Sequence, residues 1–119
     1  MTKTQTGNQG ENLACEHLNK LGYKIIERNF RIRGGEIDII ALDKDELVFV
    51  EVKTRYSHQF GLPLESITPW KIKFILKAAL FYILKVKWGD RPYRLDAVLV
   101  DYAEDKNDPK IEVIKNITS

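Results

Sequence analysis

The sequence predicts a single α/β domain in which a mixed β-sheet is flanked by helices, with the elements in the order α-β-β-β-α-β-β. Three observations indicate this class. Two apolar runs on either side of residues 43–46 have the pattern of a buried β-hairpin. A later helical stretch is long enough to connect that hairpin to a parallel strand. The 119 residues suffice for one sheet with two helices but not for a second core.

Composition sets the broad class of the protein. With 44% hydrophobic and 30% charged residues, the chain is typical of a globular domain. A net charge of +2 and a pI near 8.6 permit nucleic-acid binding without requiring it. The single cysteine, Cys15, excludes an internal disulfide, and we expect it to be a buried helix residue in the reducing cytoplasm. Lysines interrupt the apolar runs, so we expect no membrane span.

The N-terminal region begins with polar residues, and a helix is predicted after them. Residues 1–8 lack apolar side chains, and we expect them to be disordered. The helix should run from Gln9 to Leu21 and end at Gly22. Its inward face comprises Leu13, Ala14, Leu18 and Leu21. Glu11 shares that face, and one explanation of a carboxylate there is the positive end of the helix dipole. The other, a role in a metal site, is what the family resemblance given below implies.

The hairpin can be given an explicit register. A first strand, residues 23–32, turns at Arg33 to Gly35 into the second. If the next turn centres on Lys44 and Asp45, opposed residues share a face. The predicted pairs are Leu42 with Leu47, Ile40 with Phe49, Asp38 with Glu51, and Glu36 with Lys53. A slip of one residue would separate Asp38 from Glu51, so the prediction depends on this register.

The facing carboxylates of Asp38 and Glu51 require a positive partner, because opposed like charges are unfavourable in an apolar sheet. Lys53 lies two residues beyond Glu51 on the same face and supplies one positive charge. A divalent cation would supply more, and two carboxylates with a neighbouring carbonyl suit Mg²⁺ or Mn²⁺. The alternative is a solvated ion-pair patch on an exposed sheet face.

These residues match a known pattern. Asp38, followed on the next strand by Glu51-Val52-Lys53, resembles the PD-(D/E)XK signature of the restriction-endonuclease-like superfamily, which includes Holliday-junction resolvases. Ile37 stands where the superfamily name has proline. Residues 35–41 and 48–53 resemble the YraN-like family of functionally uncharacterised bacterial proteins. Further matching positions are Gly10-Glu11, Arg28-Asn29, Arg55, Phe60-Gly61, Lys71 and Arg94-Leu95-Asp96.

The resemblance implies a restriction-endonuclease-like fold and a metal-dependent endonuclease that hydrolyses nucleic-acid phosphodiesters, including structured or branched DNA. The implied catalytic residues are Asp38, Glu51, Lys53 and Glu36, with Glu36 tuning the position of the lysine. The implied ligands of Mg²⁺ or Mn²⁺ are Asp38, Glu51, the Val52 carbonyl and Glu11. Candidate phosphate contacts are Arg28, Arg33, Arg55 and Lys71.

Two alternatives use the same fold without catalysis. One is a nucleic-acid-binding module, and the other is a protein-interaction module whose acidic cluster binds a basic partner. We expect a nucleic-acid partner, DNA before RNA. Because the net charge is small, a homodimer or a further partner would be one way to strengthen DNA binding.

The remaining elements follow from local signals. Residues 54–63 predict a long loop, in which Tyr56 is a candidate for base stacking, His58 a surface residue and Phe60 a packed one. Thr68-Pro69 should cap a helix that ends at Trp88 before Gly89. Its predicted buried face comprises Ile72, Ile75, Leu76, Ala79, Leu80, Ile83 and Leu84. We then expect a strand over residues 93–101, with Arg94 paired to Asp96 or to the hairpin, and an edge strand over residues 111–114.

Overall fold

The elements follow one another in the predicted order in the computed structural model, which describes residues 3–57 and 67–118. They are α1 (Lys3–Lys20), β1 (Lys24–Ile32), β2 (Gly35–Asp43), β3 (Glu46–Arg55), α2 (Pro69–Lys85), β4 (Tyr93–Asp101) and β5 (Lys110–Ile114). The five strands lie side by side in chain order. All neighbours are antiparallel except β3 and β4, which are parallel because α2 carries the chain back across the sheet.

The sheet is buried on both faces. The α1-side cluster consists of Ala14, Leu18, Tyr23, Ile39, Ala41, Val48, Val50, Val98 and Val100. The α2-side cluster consists of Phe30, Ile37, Ile40, Leu47, Phe49, Ile75, Ala78, Ala79, Tyr82, Ile83 and Leu95. A sheet covered by helices on both faces needs continuous apolar strands, which explains the apolar runs that predicted the hairpin.

The start of α1 differs from the prediction. The helix begins at Lys3, six residues before the predicted start at Gln9, because its polar first turns carry no apolar periodicity that could be read. The helix ends at Lys20, one residue before the predicted Leu21, and its termination at Gly22 is confirmed: Gly22 has φ 95, and the Tyr23 N–H donates to the Leu18 carbonyl at 2.9 Å. Leu21 follows the helix and is 53% exposed, so its predicted burial is wrong. Cys15 is only partly buried.

The hairpin register is confirmed over its paired length. Leu42 opposes Leu47 and Ile40 opposes Phe49, around a turn in which Lys44 has φ 56. The loop after β3 was predicted to begin at Thr54, but that residue and Arg55 still pair with β4. The predictions for His58 and Phe60 lie outside the described residues. Tyr56 stacks on Tyr102, with ring centroids 5.2 Å apart.

The cap of α2 is confirmed and its end is not. The Thr68 Oγ1 accepts a hydrogen bond from the Lys71 N–H at 3.1 Å, with Pro69 in the first turn. The helix ends at Lys85 rather than Trp88, because Lys87 takes a left-handed φ of 57 and the Trp88 N–H bonds to the Ile83 carbonyl.

The buried face of α2 is rotated relative to the prediction. Ile75, Ala79 and Ile83 are buried as expected, but Leu80 and Leu84 are exposed, and Tyr82 is buried instead. Because α2 carries apolar side chains around most of its circumference, the periodic pattern could not select the buried side. None of the helices in the described ranges has the length and apolar character needed to cross a membrane.

The β4 strand is confirmed, and its Arg94 fixes the hairpin turn from the side. Arg94 pairs with Asp96 at 2.9 Å, as predicted, and also with Asp43 at 2.7 Å and Glu46 at 3.2 Å. Asp96 is fully buried and also accepts a hydrogen bond from the Tyr23 hydroxyl. This network ties β4, the hairpin turn and the residue Tyr23 after α1 together at the end of the sheet where the hairpin turns.

Candidate metal and phosphate site

The strands β2 and β3 part at the predicted site. Their ladder ends at the pair Ile39 and Val50, so Asp38 and Glu51 are the first residues beyond it. Ile37 lies in the α2-side cluster and Ile39 in the α1-side cluster, although residues two apart in a strand normally share a face. On β1, the residue between their partners is Asn29, with φ 54. The backbone irregularity at this level aims Asp38 into the gap between the strands.

A side-chain hydrogen bond takes the place of the next ladder bond. The Asp38 Oδ2 accepts from the Val52 N–H at 2.8 Å. In an extended strand, the N–H and C=O of one residue point toward the same neighbouring strand. The Val52 carbonyl therefore also faces the side of β3 on which Asp38 lies.

Glu51 is the most deeply buried carboxylate of the site. Only 6% of the residue is exposed, and it faces α2 because its neighbours Val50 and Val52 point to the α1 side. Burial and repulsion by Asp38 raise the pKa of Glu51 to about 8. Burial also raises the pKa of Asp38, against the hydrogen bond from Val52. The interaction between the two carboxyl groups lowers the pKa of Asp38 and raises that of Glu51, so Glu51, with a pKa of about 8, is the group that holds a proton at neutral pH.

Two lysines supply positive charge to this pair. The Lys71 Nζ lies 3.7 Å from the Glu51 Oε1, so this predicted phosphate contact belongs to the carboxylate site. Lys53 shares the face of Glu51 through strand alternation. The charges of Lys71 and Lys53 both oppose the rise that burial causes in the pKa of Glu51. The positive partner that the sequence required is therefore provided from β3 and from the first turn of α2.

Glu11 approaches from the other helix. It is the ninth residue of α1, so the explanation by the dipole at the helix N-terminus is wrong. Its Oε1 is buried and has no hydrogen-bond partner in the part of the chain that the structure describes. Burial, followed by repulsion from Asp38, raises the pKa of Glu11. A buried carboxylate oxygen without a donor is expensive unless a cation or water satisfies it.

Glu36 does not hold Lys53 through strand pairing. It lies opposite Arg31 on β1 and forms a 3.2 Å ion pair with it. The predicted opposition of Glu36 and Lys53 lies past the last residue pair of the β2 and β3 ladder, so this part of the register is wrong. The irregular backbone at Asp38 explains the difference, since the prediction assumed straight, continuous pairing.

The three predicted arginines lie on β1, in the turn after it and at the end of β3. Arg28 and Arg33 are exposed, and the charge of Arg28 opposes the rise that burial causes in the pKa of Glu11. The Arg55 Nε donates to the Ser57 carbonyl at 3.3 Å, just beyond the end of β3. The structure therefore brings Lys71 to the carboxylate pair and leaves Arg28 and Arg33 at the surface.

The donors fit a hard divalent cation that keeps much of its water shell. Among residues 9–57 and 67–118, no three acidic, histidine or cysteine side chains converge on one point to form a complete metal cage. Mg²⁺ does not need one, because it commonly binds one or two carboxylates and retains several waters. The pair Asp38 and Glu51, the Val52 carbonyl and the unsatisfied oxygen of Glu11 offer oxygen ligands only.

Comparison with known proteins gives a consistent picture. A model of the uncharacterised protein family UPF0102 matches residues 10–100. A UPF0102 protein of Caldicellulosiruptor saccharolyticus is 45% identical over 117 residues, which is 98% of each chain. One from Dehalococcoides mccartyi is 43% identical over 96% of this chain and 93% of its own. One from Geobacter metallireducens is 46% identical over 92% of this chain and 88% of its own.

Proposed function

Because this chain belongs to the uncharacterised protein family UPF0102, whose fold is restriction-endonuclease-like, we propose from its site that it is a metal-dependent nuclease. The reaction is hydrolysis of nucleic-acid phosphodiesters, with DNA of structured or branched form as the first substrate to test. The observation that carries the proposal is the arrangement of Asp38, which accepts from the Val52 N–H, beside the buried Glu51, whose Oε1 lies 3.7 Å from the Lys71 Nζ. Strongly perturbed carboxylates at a break in a sheet are a feature of functional sites.

The carboxylates hold the cation in this proposal. Asp38 and Glu51 would bind it together with the Val52 carbonyl, and Glu11 would contact it directly or through water. When bound, Mg²⁺ or Mn²⁺ polarises the scissile phosphate and lowers the pKa of an attacking water. Glu51, whose pKa is raised to about 8, would have to lose its proton to hold the ion, because a carboxylate binds a metal in its charged form.

The lysines act on the phosphate. Lys53 lies beside Glu51 on the face that α2 covers, where its ammonium group neutralises charge that develops on the phosphate and orients the attacking water. Lys71 is bound to Glu51 in the protein alone. With the carboxylates holding a cation, Lys71 would be available to contact a phosphate oxygen.

The test is cleavage by the full chain. Supercoiled, branched and single-stranded DNA and RNA are incubated with Mg²⁺ or Mn²⁺, together with the variants Asp38→Asn, Glu51→Gln and Lys53→Met. We expect wild type to cleave at least one substrate and all three variants to lose that cleavage. Glu112→Gln, an exposed carboxylate on β5, is the matched control and should cleave normally. Equal, background cleavage by wild type and Asp38→Asn on every substrate would contradict the proposal.

A noncatalytic nucleic-acid-binding module is the second candidate, and one observation favours it. The Lys71 Nζ lies 3.7 Å from the Glu51 Oε1, so this carboxyl group has a positive partner without a metal. A module of this kind binds phosphates through its basic residues alone. Its signature is a salt-dependent affinity that neither Mg²⁺ nor Lys53→Ala changes.

A further inference from the structure

The exposed indole of Trp70 is a feature that the proposed chemistry does not use. Trp70 follows Pro69 in the first turn of α2 and is 70% exposed, the second highest value among the large apolar side chains described as exposed. A single exposed apolar residue is ordinary, but Trp70 stacks on Phe74 beside the carboxylate site, and an aromatic surface next to a site is informative. Trp70 is therefore a candidate contact for a ligand.

The indole has a fixed orientation. Its ring stacks on Phe74, with centroids 5.4 Å apart and an interplanar angle of 17°. Phe74 is one helical turn further along, and its backbone carbonyl approaches Gly35 so closely that a Cβ at Gly35 would lie 3.0 Å from it. The helix that carries Trp70 is therefore held firmly against β2. One face of the indole lies on Phe74, and 70% of Trp70 is exposed.

A chain of contacts connects the indole to the carboxylate site. The Lys71 Nζ lies 5.1 Å from the centroid of the Phe74 ring and 3.7 Å from the Glu51 Oε1. Trp70, Phe74 and Lys71 thus form one continuous surface that begins at the carboxylates and ends at an exposed aromatic side chain. Lys73 and Lys77 are exposed on the same helix and add positive charge along it.

We propose that Trp70 is a stacking platform for an unpaired nucleobase of a nucleic acid whose phosphate lies at the carboxylate site. This inference rests on the proposed function and specifies its substrate, which must present at least one unstacked nucleotide beside the scissile bond. A flat aromatic face next to lysines matches a base joined to phosphates, and a base inside an intact duplex offers no face for stacking. The substrate class is single-stranded nucleic acid or a duplex with a single-stranded branch or end.

The binding test separates this inference from the nuclease proposal because it needs no turnover. Fluorescein-labelled single-stranded DNA and the matching blunt duplex are titrated by anisotropy with the full chain carrying Asp38→Asn. Adding Trp70→Ala should weaken single-strand binding about tenfold, whereas Trp70→Phe should retain most of the affinity. Duplex affinity should change little. Leu84→Ala, which removes a 78% exposed side chain from the far end of the same helix, should change neither.

A second readout locates the contact. Irradiation of the complex with single-stranded DNA containing 5-iodouracil should give a crosslinked peptide that contains Trp70, and Trp70→Ala should abolish it. Equal affinities of Trp70→Ala and Leu84→Ala for both DNAs would overturn the inference, as would equal losses on single strand and duplex. A dimer that Trp70→Ala disrupts, with DNA affinity unchanged, would also overturn it. If no metal supports cleavage but Trp70→Ala still weakens single-strand binding, the nuclease proposal fails and the stacking site stands.

Discussion

The Asp38 Oδ2 lies 2.8 Å from the Val52 backbone nitrogen, and this hydrogen bond joins β2 to β3 just beyond their last residue pair. The contact uses a side chain where a regular ladder would use a backbone carbonyl. It fixes the direction of the Asp38 carboxylate and leaves its second oxygen for Glu51 or a cation. The separation of the strands and the location of the site are thus two consequences of one local irregularity.

This relationship predicts unequal effects of two substitutions at position 38. Asp38→Ala leaves the buried Val52 N–H without its acceptor and should lower the free energy of unfolding by about 1–3 kcal/mol. Asp38→Asn keeps an acceptor oxygen and removes the repulsion on Glu51, so its stability should be close to wild type. Urea denaturation measures both. Equal losses for the two variants would show that the hydrogen bond contributes little to stability.

The pair predicts a pH dependence of stability with a definite sign. The pKa of Glu51 in the folded protein, about 8, is above its ordinary value of 4.5, so the folded state binds this proton more tightly than the unfolded state does. The contribution of Glu51 to stability is complete below pH 4.5 and is lost as the pH rises through 8. The melting temperature of wild type should therefore fall, relative to that of Glu51→Gln, between pH 5 and pH 9. Parallel melting curves of the two proteins would contradict this origin of the shift.

The Arg94 network lies away from the carboxylate pair, and removing Arg94 should greatly lower the stability of the protein. Burial lowers the pKa of Arg94, but hydrogen bonds with Asp96 and Asp43 outweigh burial and raise it, which shows how strongly its charge is held. Arg94→Met leaves the fully buried Asp96 without its cation and should cost about 3–5 kcal/mol. Arg31→Met breaks the exposed pair with Glu36 and should cost less than about 1 kcal/mol. Chemical denaturation distinguishes the two, and similar losses would be evidence against a structural role for the network.

The close approach of α2 to the sheet at Gly35 predicts that a larger residue there destabilises the protein. A Cβ there would lie 3.0 Å from the Ala78 backbone nitrogen and from the Phe74 carbonyl, so the helix itself would have to move. Gly35→Ala should lower the free energy of unfolding by about 1–3 kcal/mol and displace Lys71 from Glu51. The pH dependence of the melting temperature would then change along with the stability. Gly89→Ala meets no atom within 4 Å and should cost about 1 kcal/mol, from its left-handed φ of 72 alone. Identical costs for the two alanines would argue against a close helix contact.

The fold could be predicted because its signals are local and mutually consistent. Apolar runs, the Lys44 turn, Gly22 and the Thr68 cap each determine an element within a few residues, and their order leaves few topologies for a sheet with a parallel β4. The helix ends were less accurate. Lys87 ends α2 in a conformation that glycine favours, so a rule based on glycine placed the end too late.

The site could be predicted only where β2 and β3 pair regularly, because the prediction used the alternation of side chains along paired strands. Parity brought Asp38 to Glu51, but it also paired Glu36 with Lys53, because nothing in the sequence indicates that regular pairing stops at Ile39. The contact of Lys71 with Glu51 depends on where α2 docks, and the exposure of Trp70 depends on which side of that helix faces the sheet. Both are decided by tertiary packing, which periodicity in a helix apolar on most sides does not specify.

The central claim is that Asp38 and Glu51 together bind a divalent cation, and calorimetric titration of the full chain with Mn²⁺ tests it most directly. At pH 7 wild type should bind one ion or a pair of ions saturably, with release of the Glu51 proton measured by comparing buffers of different ionisation enthalpy. Asp38→Asn and Glu51→Gln should each abolish that binding, and Glu112→Gln should leave it unchanged. Saturable binding that all four proteins show equally, or none in wild type, would contradict the claim.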